Sequence, residues 1–596
     1  MRAVDMRNQF TDTGAALLET GRSAFHRVGE PLWAPLSMKF SSVLSSRWHL
    51  WAAGAFGVAW YLALGGHHTL NVTHIDWLIQ GDWNMHLFSW LFARNAPWEF
   101  PLGQAPALLY PHGSSLAFAD GMPWVGVFFK LLSPLLPLDF QPQGVWFLSC
   151  FVMQGVVGAK LATLFTKDKV SAFFTGMLLV LCPVLSARLA HPSLCAMWVL
   201  LALIYLHVKP FADNGMFRRA MVTVLLLVSF VSGIHMYLTA MVLALSVALL
   251  VRVVLIEKSV SLGEGAGWLG GIALTCLGTM WLLGFIGGAP TGLGAEGFGD
   301  FSSDLATFIN PMGWSRVVPD FPVSARQGEG FAYLGLGVAL LLGIRGVLWF
   351  KKRDANWHTV KPLVPLLVVA VAMALYALSF RVTVFGRPLF EVPALFKWLE
   401  PLPSMFRSSG RFMWTLHLCL VVAGVSALKS LSAKPALARG IIVLVFVLQL
   451  LDVDFEHSEF NRAKPMQLKK LTDERWSLMS RDYQHLAMHP LQLLWICRYD
   501  FNAMPRFSYE AYRQKLTFNS GHVARAALGI EKECEQHLGA APLDSQTVYV
   551  VTPEFLVDFV GRPATCGVLE GYAVCVSNER RTALLDALEK AQLRLN

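Results

Sequence analysis

A stretch early in the chain places a carboxylate and an imidazole where they could move protons. Residues 81–94 read GDWNMHLFSWLFAR, in which Asp82 and His86 are four positions apart and share one face of a helix. Tryptophans and leucines recur on another face, which predicts an amphipathic helix lying in a membrane interface. A carboxylate in such a partly dry place can have a raised pKa and act as a general base. The alternative is that Asp82 only caps the helix.

A second acid follows in the same region. Residues 95–120 are rich in proline and apolar residues, a composition typical of a loop that packs on a larger body and shapes a cavity. Asp120 ends this stretch and precedes the apolar segment 122–138, which we expect to form a second interfacial helix. Asp120 is therefore a second candidate acid, with a helix cap as the alternative.

Basic and aromatic side chains elsewhere could bind an anionic substrate. Arg407 and Arg411 lie four apart in MFRSSGRFMW, and a guanidinium presents a planar fork of donors that suits phosphate oxygens. Contact with lipid head groups is the alternative. Arg188 is a third candidate phosphate ligand. The remaining candidate substrate ligands are His86, His191, His235 and Tyr237. The candidates in short outer turns could each be a lone polar group at a helix end, but we expect them on the same side as Asp82: Arg188, His191, His235 and Tyr237.

The glycine-rich segment 287–330 carries Asp304, which we count with the candidate substrate ligands. Its glycines suit the hinges of a mobile lid, and a passive loop is the alternative. The segment lacks GxxxxGK[ST], and the chain lacks HExxH and GxSxG. A DxD at Asp452–Asp454 ends an apolar segment and is interpreted as a chance match. The histidines show no metal-ligand spacing, so no metal ligand is assigned, and a divalent cation stays open as a cofactor.

The composition indicates what must position these residues. Of 596 residues, 55% are hydrophobic and 15% are charged, with a mean hydropathy of +0.48. A soluble domain has about 25% charged residues, and blocks of about 20 apolar residues suffice to cross a bilayer. This excludes a disordered, collagen-like or secreted soluble chain and predicts a mainly α-helical polytopic membrane protein. We expect eleven spans: 48–64, 144–165, 170–187, 191–208, 218–234, 236–254, 266–286, 331–349, 362–381, 411–429 and 436–452.

The charge distribution sets the expected orientation. Most of the net charge of +9 falls in alternate short loops between spans, as the positive-inside rule requires, and no basic run suits nucleic acid. Residues 1–47 are then cytoplasmic, residues 48–453 form the transmembrane domain, and residues 454–596 lie outside. Two expected outer loops are long, the first at 65–143 and the fourth at 287–330; they are called the first loop and the fourth loop below.

The tail, residues 454–596, has the composition of a soluble domain, which predicts a small α/β domain. Its segment 547–551 is typical of a strand, and residues 578–595 are typical of a helix. Four of the nine cysteines lie in the tail, and four cysteines form two disulfides in one of three possible connectivities. We favour the pairs that are neighbours in sequence, with free buried thiols as the alternative: Cys497–Cys534 and Cys566–Cys575.

Three segments, GDWNMHLFSWLFARNAPWEFPLG, FADGMPW and FRSSGRFMW, give the chain a resemblance to the GT-C superfamily of membrane glycosyltransferases. Within it, the chain looks most like an uncharacterised bacterial inner-membrane family. The resemblance implies a polytopic fold with a large first outer loop, an acid early in that loop and an exterior C-terminal domain. It places the catalytic acid at Asp82, with Asp76 as the rival. The adjacent pair of acids common in the superfamily is absent from this loop.

The resemblance also implies a sugar donor linked to polyprenyl phosphate, and a glycan, lipid or protein acceptor outside the cytoplasm. Asp82 would take the proton from an acceptor hydroxyl, and Arg407 and Arg411 would stabilise the departing phosphate, so that the anomeric centre inverts. The alternatives are a flippase for lipid-linked glycans, a glycan polymerase or ligase, and a non-catalytic scaffold for envelope assembly. Few charges lie at the centres of the expected spans, which weighs against transport.

Overall fold

The computed structural model describes residues 46–286, 291–292, 297–352, 360–398, 401–463, 466–591 and 593. The expected cytoplasmic segment, residues 1–47, lies almost entirely outside the described residues, and so do parts of the fourth loop. The described chain is mainly helical, with an α/β region at its C-terminal end. The longer helices before the tail are Trp48–Ala63 (α1), Gly81–Asn95 (α2), Pro123–Leu131 (α3), Gln143–Ala162 (α4), Lys169–Val180 (α5), Trp198–Val208 (α6), Asn214–Ser232 (α7), Met236–Val251 (α8), Leu262–Leu282 (α9), Leu336–Lys352 (α10), Val364–Ala377 (α11), Met413–Val425 (α12) and Pro435–Asp452 (α13).

Six helical stretches in the described chain are long and apolar enough to cross a membrane, by length and composition. Apolar runs of this length become helices because a helix satisfies its own backbone hydrogen bonds where water is absent. The other five expected spans hold helices shorter than 18 residues, namely α1, α5, α6, α10 and α11. The expected count of eleven spans therefore stays a prediction. The six stretches are Gln143–Ala162, Asn214–Ser232, Met236–Ile256, Leu262–Leu282, Ser409–Ser430 and Pro435–Asp452.

The first loop is folded into the protein. Helix α2 is buried from Trp83 to Ala93, and the indole of Trp90 donates to the carbonyl of Phe140 at 2.8 Å. The helix expected at residues 81–94 is present, but the expectation that it lies in the membrane interface on one face is wrong, because both faces are buried. The helix is buried because neighbouring parts of the first loop and of the tail pack against it.

The short strands before the tail are Gln104–Ala105 (β1), Ser114–Ser115 (β2), Thr291–Gly292 (β3), Arg381–Val384 (β4) and Arg387–Glu391 (β5). Strands β1 and β2 pair antiparallel within the first loop, and β4 and β5 form a hairpin before the last two long helices. The carboxylate of Asp304 supports this hairpin, because it accepts hydrogen bonds from the Thr383 hydroxyl at 2.8 Å and from the backbone N–H groups of Phe385 and Gly386 at 3.1 Å.

The tail contains an α/β fold with one mixed sheet. Its strands are His485–His489 (β6), Thr517–Phe518 (β7), Ala526–Ala527 (β8), Thr547–Val551 (β9), Ala564–Leu569 (β10) and Tyr572–Ser577 (β11). Five of them lie in the order β10-β11-β9-β6-β7, with β6 parallel to both neighbours. The longer helices are Ala503–Gln514 (α14) and Ala583–Lys590 (α15). Disulfides join Cys497 to Cys534 and Cys566 to Cys575.

Backbone hydrogen bonds join the tail to the first loop. The N–H of Phe518 donates to the carbonyl of Ala107 at 2.7 Å, and the carbonyl of Phe518 accepts from the N–H of Tyr110 at 3.0 Å. The N–H of Arg525 donates to the carbonyl of Phe118 at 2.8 Å. Strand β8 pairs with β3 of the fourth loop. The tail is thus in direct contact with both loops that carry candidate residues.

Candidate active site

Asp82 lies in the first turn of α2 and faces His191. One carboxylate oxygen is 2.7 Å from Nδ1 of His191, which precedes the short helical turn before α6. The helix cap position is Gln80, and no side chain caps this helix, so the interpretation of Asp82 as a cap is wrong. Because its carboxylate is turned to His191, Asp82 links the first loop to the turn that carries Arg188.

Glu329 lies at the centre of a group of ionisable side chains that is called the cluster below. Its other members are Asp82, Asp120, Arg188, His191 and Arg411. The Glu329 carboxylate lies 3.3 Å from Nε2 of His191, accepts a hydrogen bond from Nη1 of Arg188 at 3.1 Å and accepts another from Nε of Arg411 at 2.7 Å. Glu329 is not among the residues predicted from the sequence. The available signal was a carboxylate between two glycines at the edge of an expected span, where a charge is costly and so is a functional candidate.

Two glycines let Glu329 reach Arg411. A Cβ added to Gly410 would lie 2.6 Å from the Cα of Gly330, and a Cβ added to Gly330 would lie 2.4 Å from the Cα of Ser303. Real Cβ atoms do not approach backbone this closely, so the segments carrying Glu329 and Arg411 pack together only because both positions lack a side chain. Substitution at either glycine would push the two charged groups apart.

Asp120 lies beside this chain of ion pairs. Its carboxylate accepts a hydrogen bond from the Ser193 hydroxyl at 2.9 Å and is 3.7 Å from Nε2 of His235. The cap of α3 is Met122, without a side-chain hydrogen bond, so the interpretation of Asp120 as a cap is wrong. Asp120 and Met122 have φ values of 50° and 52°, a left-handed backbone that is strained for such residues and is concentrated at functional sites. The expected helix at 122–138 forms only in its first half.

The two arginines of the FRSSGRFMW segment have different surroundings. The Arg411 guanidinium carbon lies 4.8 Å from the ring centre of Tyr237, whose hydroxyl accepts from the N–H of Ser408 at 2.8 Å. Arg407 instead lies over Phe301, at 5.9 Å. The two arginines are four apart in sequence, but Arg411 lies in a short 3-10 helix, Ser409–Phe412, that Arg407 precedes, and α12 begins only at Met413. The structure brings Arg411 into the cluster and leaves Arg407 outside it.

The ion pair gives Asp82 and His191 opposite charges. Burial alone would raise the pKa of Asp82, but the hydrogen bond and charge of His191 outweigh burial and lower this pKa to about 2. Burial alone would lower the pKa of His191, but hydrogen bonds and charges from Asp82 and Glu329 raise it to about 9. The expectation of a raised pKa at Asp82 is therefore wrong, because it did not include a buried imidazolium partner.

Asp120 is the acid with the raised pKa. Burial raises the pKa of Asp120 to about 6, against the hydrogen bond from Ser193 and the charges of Arg411 and His191, while the charge of Asp82 adds to the increase. Glu329 differs, because Arg411, Arg188 and His191 together overcome burial and hold its pKa well below the usual range. The cluster thus contains two carboxylates that stay ionised and a third that titrates near neutral pH.

Two further histidines lie around Asp82. His86 is fully buried on α2, both ring nitrogens lack a hydrogen-bond partner among the described residues, and burial lowers its pKa to about 3. His522 of the tail is 3% exposed, interacts electrostatically with Asp82, and has a pKa lowered by burial. The sequence analysis missed His522, because no local pattern shows that the tail folds back onto the first loop.

Two more of the predicted site residues, besides Arg407, lie outside the cluster. A carboxylate oxygen of Asp76 accepts from the N–H of Leu468 at 3.1 Å, which ties the first loop to the start of the tail. Asp304 is buried under the β4–β5 hairpin, as described above. Neither is placed with the cluster by any ion pair or hydrogen bond among the described residues. Asp452 of the DxD also has a structural role, because it binds the Tyr333 hydroxyl at 3.0 Å.

Families of known proteins match most of the chain. The family described as "Domain of unknown function (DUF6311)" matches residues 54–454, and the one described as "DUF6311 C-terminal domain" matches residues 475–577. The chain belongs to the DUF6311 family. No curated protein matches the DUF6311 chain.

Among solved structures, the DUF6311 chain is similar to the crystal structure of an oligosaccharyltransferase from Archaeoglobus fulgidus in complex with zinc and sulfate. The two are 11% identical, with a TM-score of 0.30. The match covers 79% of this chain and 62% of the archaeal chain. The DUF6311 chain thus spans less than two thirds of the length of that protein.

The geometry of the DUF6311 chain offers three chemical functions in one place. Asp120 can exchange a proton near neutral pH, Asp82 is a fixed negative charge, and Arg411 is a buried positive charge. Paired carboxylates whose environments separate their pKa values are typical of acid–base sites. Among the described residues, no three histidine, cysteine, aspartate or glutamate side chains are grouped so as to hold a metal ion.

Proposed function

We propose that this chain is a membrane glycosyltransferase that moves a sugar from a polyprenyl-phosphate donor to a glycan, lipid or protein acceptor outside the cytoplasm. The observation that carries the proposal is the meeting of Asp82, Asp120 and Arg411 in one largely buried cluster between the loops. The reaction needs a base for the acceptor hydroxyl and a cation for the departing phosphate. The resemblance to the GT-C superfamily supports the proposal, since Asp120 and Arg411 lie in two of the segments that carry it.

Asp120 is the proposed base. A general base works best when its pKa is near the operating pH, and the pKa of Asp120, about 6, meets this condition better than the pKa of Asp82. Asp120 takes the proton of the acceptor hydroxyl while the acceptor oxygen forms a bond to the anomeric carbon. The bond from that carbon to the phosphate oxygen breaks in the same step, so that the anomeric centre inverts.

Asp82 and Arg411 stabilise the two charges that develop in this step. The anomeric carbon gains positive character as its bond to phosphate breaks, and the fixed carboxylate of Asp82 stabilises it. The phosphate leaves with the electron pair and gains negative charge. The guanidinium of Arg411, held in place through Nε by Glu329, is the proposed cation that stabilises this charge. Preorganised charges of this kind act strongly in a site that excludes water.

The lipid part of the donor fixes where such a reaction can occur. A polyprenyl chain stays in the bilayer, so the active site must lie at an end of the membrane-spanning helices. Arg411 lies just before α12, within an apolar stretch long enough to span. We place this end outside the cytoplasm, in a bacterial inner membrane, on the strength of the positive-inside pattern.

No step of this mechanism is assigned to a metal ion. The described carboxylates of the cluster are each engaged by a histidine, a serine or an arginine and do not form a ligand set. The entry of a divalent cation together with the donor phosphate is a separate proposal. Measuring activity with and without a chelator tests it.

The test uses the purified protein with labelled polyprenyl-phosphate sugars, and measures release of free polyprenyl phosphate. Asp120→Asn and Asp82→Asn should each lower the rate about 10²–10⁴-fold, the usual contribution of such groups. Asp139→Asn is the matched control, because Asp139 is a first-loop aspartate that binds Lys470 and Tyr509 outside the cluster. Normal rates in both site variants would overturn the proposed roles, and no release by the wild type would overturn the function.

A further inference from the structure

A small polar cavity lies next to the cluster and is not used by the proposed mechanism. It has a volume of about 170 Å³ and is lined by the turn at Ala187 and Arg188, by Trp314 of the fourth loop, and by Glu459 and Arg462 just after α13. Pockets for drug-sized ligands measure about 300–1,000 Å³, so this one suits a smaller group. We call it the Arg188 cavity.

Arg188 lines the cavity with both terminal nitrogens already engaged. It is 6% exposed; Nη1 binds Glu329 at 3.1 Å and Nη2 donates to the carbonyl of Gly328 at 2.9 Å. Its Nε is buried inside the protein and is not part of the cavity surface. Any ligand in the Arg188 cavity is therefore bound by the other polar groups of the lining.

The other polar residues that line the cavity restrict the chemical class of ligand that fits it. Arg462 and Glu459 are 3.5 Å apart on the rim, so the cavity presents both donors and an acceptor. A phosphate or carboxylate would meet the negative charge of Glu459, and an ammonium group would meet the two arginines. Hydroxyl groups both donate and accept hydrogen bonds and carry no charge. A neutral polyhydroxylated molecule therefore fits the set best.

The apolar wall agrees with this chemistry. Trp314 and Phe331 line the same cavity, and the two rings lie 6.4 Å apart. A sugar ring has polar hydroxyls at its edge and a weakly apolar C–H face, so it matches a cavity with charged groups on some walls and aromatic groups on others. The size of the cavity suits one ring.

We propose that the Arg188 cavity binds one neutral sugar residue of the acceptor. The assignment of this sugar to the acceptor rests on the proposed function, but the binding of a sugar in the cavity does not depend on turnover. Because Arg188 also holds Glu329, a sugar seated there lies one residue away from His191 and the proposed reacting groups. The acceptor would then be a saccharide rather than a peptide or a bare lipid.

The first experiment measures binding alone, by saturation-transfer-difference NMR on the full-length protein in detergent. The probes are methyl glucoside, methyl galactoside and methyl mannoside, with inorganic phosphate as the competitor. We expect at least one glycoside to bind, Ala187→Leu to abolish binding by filling the cavity, and Arg462→Gln to weaken it about tenfold, the effect of losing about 1.4 kcal/mol. Arg498→Gln is the matched control, since Arg498 is another exposed arginine paired with a glutamate, Glu554.

The outcomes separate cleanly. Absence of glycoside binding, binding that survives both cavity variants, or displacement by phosphate would each overturn the proposal. Unchanged thermal melting of Arg462→Gln shows that a loss of binding is not a loss of folding. In the second experiment, the same variant should raise KM for a saccharide acceptor while cleavage of the donor by water stays unchanged. Glycoside binding without any donor cleavage by the wild type would remove the acceptor role and the proposed function, and leave the sugar site.

Discussion

Replacing His191 with glutamine should show how much the central ion pair contributes to stability. His191 lies between Asp82 at 2.7 Å and Glu329 at 3.3 Å, and its side chain is 22% exposed. A pKa raised from 6.5 to about 9 in the folded protein corresponds to roughly 3 kcal/mol of stability. The lowered pKa of Asp82 reports the same ion pair from its other partner, so the two contributions are not added.

The direction with pH follows from the raised pKa. Below about pH 6.5, His191 is protonated in both the folded and the unfolded chain, and the full stabilisation is present. As the pH rises towards about 9, the unfolded chain has lost the proton that the folded protein still holds, and the stabilisation is progressively lost. Wild type should therefore exceed His191→Gln in free energy of unfolding by about 3 kcal/mol near pH 6 and by little above about pH 9.

The assay is denaturation of the detergent-solubilised protein, followed by intrinsic fluorescence at a series of pH values from 6 to 10. His67→Gln removes an exposed imidazole and serves as the control for the substitution. A difference between wild type and His191→Gln that stays constant across this pH range would refute the reasoning. It would mean that His191 acts through packing and not through its charge.

Three other outcomes are expected. If Asp120 is the base, the wild-type rate should fall as the pH drops through about 6, because protonation removes the base, and Asp120→Asn should show a low rate without this limb in a pH–rate profile. Arg411→Lys should lower kcat for donor cleavage about tenfold or more, because the guanidinium that stabilises the charge developing on the departing phosphate is lost, whereas Arg407→Lys should stay near wild type in the same kinetic assay. Asp304→Ala should lower the free energy of unfolding by roughly 3 kcal/mol or more, since it leaves three donors of the hairpin unpaired. The folded fraction of this variant should keep its kcat. A loss of kcat without a loss of stability would instead place Asp304 in the active site.

The sequence alone was enough to place much of the cluster. Asp82, Asp120, Arg188, His191 and Arg411 are ionisable groups at the edges of apolar segments, where charges are costly and tend to be functional. Such groups come close in space when the ends of their helices pack side by side. The signal has exceptions, because Arg407 is at an edge of the same kind and lies outside the cluster.

Other members of the cluster depend on long-range packing. Glu329 lies in a loop whose approach to Arg411 rests on the contact between Gly330 and Gly410, and His522 reaches Asp82 only because the tail folds onto the first loop. Neither contact leaves a periodic pattern in the sequence. The same holds for the buried state of α2, since an amphipathic pattern indicates which face is apolar but not what covers the other.

Protonation states were the least predictable property. A partly dry carboxylate suggests a raised pKa, and that physical rule applies to Asp120. It fails at Asp82, because a buried imidazolium 2.7 Å away reverses the sign. Distances of this order decide the balance between burial and charge, and a sequence does not contain them.

The most direct test of the central claim follows a labelled donor in proteoliposomes that contain the purified protein. Wild type should cleave polyprenyl-phosphate sugar to free polyprenyl phosphate, and Asp120→Asn should not. Movement of the intact donor between leaflets without cleavage, at equal rates in both proteins, would contradict this claim and would favour a flippase.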